Sequence, residues 1–326
     1  MKRLTVCVFL VFLLPLCLVG AKGQEEKASG TVIVYAPHGP EITTPILELF
    51  NKSYPEVKVQ LIKAGTGELL SRIRAEKGNP AADLMWGGST ILFEGEADLF
   101  AAYESPEDKA MLKADPSHKW HPFSILCQPI LVNKVLVPES EYPRTVKVLN
   151  DEKWLKKGGI ALADPNKSGT GFTIVSGISS AYGWDFVKAL LKYARVTPGS
   201  DAMFKAVKDG EVPVGFINED LGAKWEVEGL PVKMIYAQDV VTVQMDAAAL
   251  VAGGPQPKLG KLFLDFIGSK AVHEIARDKI TRRSARKDVT PPPGLPNLGD
   301  LKLYPEAEPR DVVNAKFTNL MKELGK

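Results

Sequence analysis

The sequence predicts two α/β lobes that are joined by a two-strand hinge and enclose a cleft. Three observations lead to this fold class. The chain of 326 residues, 45% of them hydrophobic, exceeds one ordinary domain and can fill two cores. Strand-like and helix-like segments alternate, which is typical of a parallel sheet with right-handed crossovers. The alternation starts again at Gly159, after a stretch long enough to be an extended connector between lobes.

In the first lobe, strands are predicted at residues 31–35, 57–62 and 83–86, with helices between them. Thr44 and Pro45 predict the start of the first helix, as its N-cap and first helical residue. The second helix should follow Gly65-Thr66-Gly67 and carry Leu69 and Leu70 on its apolar face. This order of elements is a βαβαβ unit.

The remaining elements are predicted from the same periodicities. They are strands at 159–163, 212–217 and 245–252 and helices at 172–182, 184–194, 259–267, 271–278 and 311–324. Segments 124–133 and 236–245 should cross between the lobes and form the hinge. Lobe 1 is therefore assigned to residues 30–127 plus 246–326, and lobe 2 to residues 128–245. The proline-rich stretch 290–300 is expected to be a stiff surface connector.

An export signal is predicted at the amino terminus. Lys2 and Arg3 precede an apolar run that is short for a bilayer span, and the run ends in the small-residue cleavage pattern Val19-Gly20-Ala21. Residues 1–21 are assigned to a signal peptide on this basis. The mature protein is expected to be soluble and extracytoplasmic, in a periplasm or its equivalent.

The cysteines give no disulfide framework. Cys17 stands where a lipoprotein cysteine could stand, but Leu16 occupies the preceding position, where lipidation requires a small residue, so simple cleavage is favoured. Cys7 and Cys17 would leave with the signal. Cys127 then remains alone in an apolar setting, which favours a buried structural thiol over a nucleophile.

Charge and motifs exclude several functions. The chain has 41 Lys and Arg against 39 Asp and Glu, and loss of Lys2 and Arg3 with the signal leaves 39 of each, which argues against nucleic-acid or membrane-surface partners. The sequence has no Walker lysine pattern, no H-E-x-x-H motif and no G-x-S-x-G motif. We therefore expect a monomer that is not an enzyme and needs no cofactor.

Three strand-to-helix junctions carry small or hydroxyl residues. They are Gly65-Thr66-Gly67, Gly87-Gly88-Ser89-Thr90 and Ser168-Gly169-Thr170-Gly171. Amides at a helix start lack intrahelical partners and carry the positive end of the dipole, so such a junction can hold an anion. Ordinary N-caps and turns are the alternative interpretation. Their recurrence in a two-lobed α/β chain favours a ligand site, because such folds bind ligands at the carboxyl ends of parallel strands.

Several motifs together resemble one family. They are VYAPHG from Val34, AGTGELLSRIRAEKGNPAADLMWGGS from Ala64, LADPNKSGTGF from Leu162, VPVGFINED from Val212 and DAAALVAGGPQPKLGKLFLDFIGSKAVHEIA from Asp246. They are similar to the periplasmic solute-binding proteins of ABC importers, in the ferric-iron-binding-like branch of the type 2 fold. The resemblance covers nearly all of the mature chain. It implies capture of a small solute by lobe closure and delivery to a membrane permease.

The resemblance leaves two ligand classes open. Iron-binding members use a histidine in the first loop, an acidic residue and two adjacent tyrosines. His38 matches that histidine, but Glu219 and Asp220 stand where the tyrosines should be. Relatives in the same branch capture sugar phosphates or aminoalkylphosphonates, so the expected ligand is a small phosphorylated organic anion. Ferric iron on His38, Glu219 and Asp220 is the alternative.

The expected ligand contacts follow from that choice. The phosphate should rest on the loop of Ser168, Gly169, Thr170 and Gly171, with help from Thr66, Gly67, Ser89 and Thr90. Glu219 and Asp220 should face the other end of the ligand, His38 could donate to the phosphate, and Asp246 is a weaker polyol contact. Carboxylates accept hydrogen bonds from hydroxyls or pair with an ammonium, and they repel phosphate. Glu219 and Asp220 are equally well explained as acidic first-turn residues of the next helix.

Overall fold

The computed structural model describes residues 28–326, which form two α/β lobes. The predicted signal peptide and Cys17 lie outside the described residues. Within residues 28–326, no helix has both the length and the apolar content that a membrane span requires.

The strands are numbered in chain order. They are β1 (Gly30–Ala36), β2 (Val57–Lys63), β3 (Leu84–Ser89), β4 (His121–Gln128), β5 (Ile130–Asn133), β6 (Ile160–Ala163), β7 (Ala194–Thr197), β8 (Val214–Phe216), β9 (Val232–Ile235), β10 (Val241–Leu250), β11 (Arg283–Ser284) and β12 (Leu303–Pro305). The helices are α1 (Pro40–Ser53), α2 (Thr66–Ala75), α3 (Thr90–Gly95), α4 (Lys153–Lys156), α5 (Gly169–Tyr182), α6 (Trp184–Tyr193), α7 (Ser200–Lys208), α8 (Glu219–Val227), α9 (Pro257–Gly268), α10 (Lys270–Ile280) and α11 (Arg310–Glu323).

The sheet of the first lobe has the strand order β11-β4-β10-β3-β1-β2, with β12 paired to β10. β1 pairs in parallel with both β2 and β3, so the predicted βαβαβ unit is confirmed. Alternate side chains serve two cores because successive residues of a strand point to opposite faces. Val32 and Val34 pack with Trp86 on one face, and Tyr35 packs with Met85 on the other.

The second lobe has a five-stranded sheet in the order β7-β6-β8-β5-β9. β6 runs parallel to β7 and β8, whereas β5 runs antiparallel to β8 and β9. Helices α5, α6 and α7 cover it and bury residues such as Phe172, Leu190 and Met203 in one core. This sheet presents the loops before α5, α7 and α8 to the first lobe.

Two chain segments join the lobes where the hinge was predicted. The first is a single residue, Pro129, between β4 and β5, and the second connects β9 to β10 through residues 236–240. The carbonyl oxygen of Pro129 accepts a hydrogen bond of 3.1 Å from the amide of Ile217. Because β4 and β10 are neighbours in the first sheet, both hinge segments leave that lobe side by side.

The carboxyl-terminal segment crosses between the lobes a third time, which the assignment of residues 246–326 to lobe 1 did not foresee. β12 pairs with β10, but Val313 and Phe317 of α11 belong to the core of the second lobe. Trp184 on α6 donates a hydrogen bond of 2.9 Å to Glu308, just before α11. An amphipathic helix fits an apolar surface on either lobe, so the sequence pattern alone could not choose between them.

The predicted start of α1 is wrong by several residues. Gly39 is the N-cap and Pro40 occupies the first turn, so Thr44 and Pro45 lie inside the helix. Proline is favoured in the first turn because its missing N–H would have no partner there. Pro45 has no N–H, so it removes one further backbone hydrogen bond. Burial of Ile42, Ile46 and Phe50 on the apolar face of the helix offsets this loss.

Candidate functional site

A cavity of about 1400 Å³ lies between the two lobes. Five helices begin at its wall, two from the first lobe and three from the second. Their lining residues are Gly39 and Glu41 at the start of α1, Thr66 and Gly67 of α2, Gly169 and Thr170 of α5, Ser200 and Asp201 of α7, and Asp220 of α8. The first amides of a helix have no intrahelical partner and lie at the positive end of its dipole. The cavity wall therefore offers backbone donors from both lobes.

The starts of α2 and α5 meet at one edge of the cavity, which we call the closing edge and define as residues 65–67 and 166–170. A Cβ added to Gly67 would lie only 2.5 Å from the carbonyl oxygen of Asn166, and one added to Gly169 would lie 3.0 Å from the Oγ1 of Thr66. Glycine permits this approach because it has no Cβ. The two lobes are therefore in contact at the closing edge.

Ser168 serves as the N-cap of α5. Its Oγ accepts a hydrogen bond of 3.0 Å from the amide of Gly171, and its carbonyl oxygen accepts one of 2.9 Å from the amide of Phe172. These bonds hold the loop in place and occupy the amides of the third and fourth residues of α5. The amides of Gly169 and Thr170 have no partner within the helix, so they are the donors that α5 can give to a ligand.

A cation lies behind the closing edge. Arg310, at the start of α11, donates a hydrogen bond of 3.1 Å to the carbonyl oxygen of Pro165, and its guanidinium lies 5.5 Å from the ring centre of Phe172. Its Nη2 would lie 3.2 Å from a Cβ on Gly67. Its Nη1 is buried without a hydrogen-bond partner among residues 28–326. Burial lowers the pKa of Arg310, and an anion nearby would stabilise its charged form.

Arg282 occupies another part of the cavity wall and joins the two lobes. The side chain is 2% exposed. It donates hydrogen bonds of 3.0 Å to Asp246 and 2.8 Å to Ser124 in the first lobe, and one of 3.0 Å to Asp220 in the second. The preceding residue, Thr281, ends α10 in the left-handed conformation with φ of 59° and turns the chain back toward the cavity. We call Arg282, Asp220 and Asp246 the arginine cluster.

His38 lies beside the arginine cluster. Its Nε2 is 3.4 Å from the Oδ2 of Asp246, and its ring meets Trp86 edge-on at 5.3 Å between ring centres. Burial, and then the charge of Arg282, lower the pKa of His38 well below the ordinary value, so the imidazole is neutral at pH 7. Its Nε2 is buried without a hydrogen-bond partner among the described residues. Trp86 itself is fully buried and cannot stack on a ligand.

Glu219 holds the lobes together behind the cavity. Its carboxylate accepts hydrogen bonds of 2.8 and 3.1 Å from Arg283 in the first lobe, one of 2.9 Å from the hydroxyl of Tyr236, and one of 3.3 Å from the amide of Cys127. Both charged side chains are buried. The predicted burial of Cys127 is confirmed, and burial raises the pKa of its thiol far above the ordinary value.

Eight of the twelve predicted contacts line the cavity: His38, Thr66, Gly67, Ser168, Gly169, Thr170, Asp220 and Asp246. Whether they touch a ligand stays a prediction. The other four lie behind the wall. Gly171 packs α5 on β6, because a Cβ there would lie 2.5 Å from the carbonyl oxygen of Ala163. Ser89 is buried at the end of β3, Thr90 is buried as the first residue of α3, and Glu219 is bonded to Arg283.

Sequence reasoning missed Arg282, Arg283, Gln244 and Glu306. The two adjacent arginines directly after α10 were the available signal. The proline-rich stretch 290–300 is also more than a surface connector. Residues 293–295 line the cavity, and the carbonyl oxygen of Pro296 accepts a hydrogen bond of 2.8 Å from Arg283.

Glu306, which follows β12, contacts the second lobe. It accepts a hydrogen bond of 2.5 Å from the hydroxyl of Thr173 in α5. The Oγ1 of Thr173 also lies 2.6 Å from the Oε1 of Gln244. Burial raises the pKa of Glu306 to about 7, against an ordinary value of 4.5.

This raised pKa predicts a measurable pH dependence. The folded protein holds the Glu306 proton up to about pH 7, whereas the unfolded chain releases it near 4.5. The contribution of this group to stability is therefore complete below pH 4.5 and lost as pH rises to 7. The Glu306→Gln variant should lack this loss and be more stable than the wild type at pH 8 by roughly 1–3 kcal/mol. Urea unfolding of both proteins at pH 4.5, 6 and 8 measures it, and parallel pH profiles would contradict it.

The comparisons with known proteins agree with this architecture. A family model for bacterial extracellular solute-binding proteins matches residues 130–279. The structure has the type 2 fold of periplasmic binding proteins. A relative named "Probable ABC transporter periplasmic-binding protein y4fP", from Sinorhizobium fredii, is 27% identical over 257 residues, which are 74% of this chain and 70% of that one. These names describe an extracellular solute-binding family and a periplasmic-binding protein of an ABC transporter.

Solved structures show the same fold with different ligands. The binding protein AfuA from Actinobacillus pleuropneumoniae, bound to fructose-6-phosphate, has a TM-score of 0.80 and 24% identity over 91% of this chain and 98% of its own. Iron-bound HitA from Pseudomonas aeruginosa has a TM-score of 0.74 and 22% identity over 91% and 99%. At these identities the likeness shows the fold alone.

Proposed function

We propose that this protein is an extracytoplasmic solute-binding protein that captures a small phosphorylated organic anion, either a sugar phosphate or an aminoalkylphosphonate, and delivers it to the permease of an ABC importer. The phosphate would lie at the closing edge, on the amides of Thr66, Gly67, Gly169 and Thr170. The ligand touches both lobes only when they are closed, so it stabilises the closed state by its differential affinity.

The single observation that carries this proposal is the convergence of five helix starts on one interlobe cavity. Each start contributes partial positive charge and free amides, and two of them meet at the closing edge. Arg310 adds a full charge behind that edge with a donor still unused. Because the chain carries a formal net charge of only +2, attraction for an anion must come mainly from such local groups.

Ferric iron is the second candidate. The iron-bound structural neighbour and the 3.4 Å distance between His38 and Asp246 favour it. Three features argue against it. Glu219 is bound to Arg283, and Arg282 already lies between Asp220 and Asp246, where it would repel a cation. Within residues 28–326, no three His, Cys, Asp or Glu side chains are grouped so that they could hold a metal ion.

Thermal unfolding with a ligand panel tests the proposal. Fructose 6-phosphate, 2-aminoethylphosphonate, inorganic phosphate and ferric citrate are added separately to the purified protein. A ligand at one hundred times its dissociation constant adds about 2.7 kcal/mol to stability, which shifts the melting temperature visibly. We expect a shift with at least one phosphorylated organic compound. Stoichiometric uptake of iron, with no shift from any phosphorylated compound, would replace the proposal with the iron alternative.

A further inference from the structure

The hydroxyl of Thr173 lies among three acceptor oxygens. Its Oγ1 is 2.5 Å from the Oε1 of Glu306, 2.6 Å from the Oε1 of Gln244 and 3.1 Å from the carbonyl oxygen of Gly169. A hydroxyl has only one proton to donate, although it can also accept hydrogen bonds. Thr173, Gln244 and Glu306 are all buried. The two short contacts therefore need a second donor, which must come from Glu306 or from Gln244.

Two arrangements of protons supply that second donor. If Glu306 is protonated, its carboxyl donates to Thr173, and Thr173 donates to the Oε1 of Gln244. If Glu306 is ionised, it can only accept, so Thr173 donates to Glu306 and Gln244 must turn its NH2 group toward Thr173. The protonation state of Glu306 therefore decides which end of the Gln244 amide faces Thr173.

Gln244 transmits this difference to the wall of the cavity. It lines the cavity from β10, whereas Thr173 and Glu306 lie behind the wall. A side-chain amide has donors at one end and an acceptor at the other, so the end that is not bonded to Thr173 is the one left for the cavity. We infer that Glu306 is a positioning residue, whose proton acts through Thr173 to set whether Gln244 offers a donor or an acceptor to a bound ligand.

This inference goes beyond the proposed function and does not depend on which ligand binds. Burial raises the pKa of Glu306 to about 7. The hydroxyl of Thr173 and the charge of Arg310 on α11 lower this pKa, and the charge of Asp246 on β10 raises it. Below pH 7, Gln244 should therefore offer its NH2 group to the cavity, and above pH 7 its carbonyl oxygen. An anion at this part of the wall would be bound more weakly above pH 7, because a carbonyl oxygen cannot donate to it.

A pH titration of the Gln244 side-chain amide by NMR tests the inference without any ligand. The protein is labelled with nitrogen-15 in its glutamine side chains, and the Gln244 signal is assigned by its loss in the Gln244→Met variant. We expect the amide shifts of Gln244 to change in one step centred near pH 7. A flat profile from about pH 5 to about pH 9, a range that brackets this pKa, would overturn the inference.

The Glu306→Gln variant shows whether Glu306 is the group that titrates. Its side chain has no carboxyl proton to lose, so the step should disappear. Burial also raises the pKa of Asp246, and a step that remains in Glu306→Gln would assign the titration to another group and overturn the inference. Glu308→Gln is the matched control in the same segment. Glu308 is bonded to Trp184 and Lys316, so its replacement should leave the step unchanged.

The Thr173→Val variant shows whether the hydroxyl transmits the change. Valine has nearly the same shape but cannot donate or accept, so only a small step should remain, from the direct effect of the Glu306 charge on Gln244. An undiminished step in this variant would contradict the role given to Thr173. If Thr173→Val does not fold, the profiles of the wild type and of Glu306→Gln decide.

Discussion

The Gly67→Ala variant should bind its ligand about 10- to 100-fold more weakly than the wild type and remain as stable without ligand. The added Cβ would lie 2.5 Å from the carbonyl oxygen of Asn166 in the other lobe, which is closer than real contacts allow. The closed state is therefore penalised, and the apparent affinity falls with the fraction of closed molecules. The amide of residue 67 is retained, so the loss cannot come from a missing donor.

The open state should tolerate this substitution well. Gly67 lies in α2, where alanine is the better helix former. Gly78→Ala in the same lobe is the matched control, because a Cβ there meets no atom within 4 Å. Calorimetric titration gives the affinities and thermal unfolding gives the stabilities. Wild-type affinity in Gly67→Ala would mean that binding does not require contact at the closing edge.

The Glu219→Ala variant should lose about 3–5 kcal/mol of unfolding free energy, because removal of one partner from a buried ion pair leaves the other charge uncompensated. Arg283 is 3% exposed and would keep a single hydrogen bond, to Pro296. The hydroxyl of Tyr236 and the amide of Cys127 would also lose their acceptor. Urea unfolding at pH 7 measures the effect.

A surface pair provides the control for this prediction. Glu211 pairs with Arg195, and both side chains are about half exposed. Exposed pairs contribute about 0–1 kcal/mol, so Glu211→Ala should change stability little. The double variant Glu219→Met, Arg283→Leu should recover much of the loss, since two apolar groups leave no buried charge. If Glu219→Ala destabilised the protein no more than Glu211→Ala, the contact behind the cavity would not hold the lobes together.

Periodicity predicted the parts of the fold that depend on local sequence. The β-branched strand at β1 and the glycine-rich starts of α2 and α5 can be recognised within a few residues, and the structure has them where expected. The exception at α1 arises because Pro45 is compatible with a helix that is packed on its apolar face. The placement of α11 could not be predicted, since its amphipathic pattern does not indicate which lobe buries its apolar face.

The starts of α2 and α5 in the cavity wall were predicted from local sequence, whereas the start of α1 was misplaced, α7 was not predicted, and contacts between distant side chains were missed. The contacts of Arg282 span 36 residues to Asp246, 62 to Asp220 and 158 to Ser124. Pairs at such separations leave no local pattern. Glu219 and Asp220 are adjacent in sequence, yet one is committed to Arg283 behind the cavity and the other lines it. The two carboxylates differ because adjacent side chains of a helix point in different directions.

A crystal structure of the protein with fructose 6-phosphate tests the central claim most directly, namely that helix-start amides hold an anion between two closed lobes. The account predicts phosphate oxygens at hydrogen-bond distance, about 3 Å, from the amide nitrogens of Gly67, Gly169 and Thr170. Phosphate bound away from the closing edge would contradict it. So would a cation coordinated by His38 and Asp220 with the amides of Gly169 and Thr170 unused.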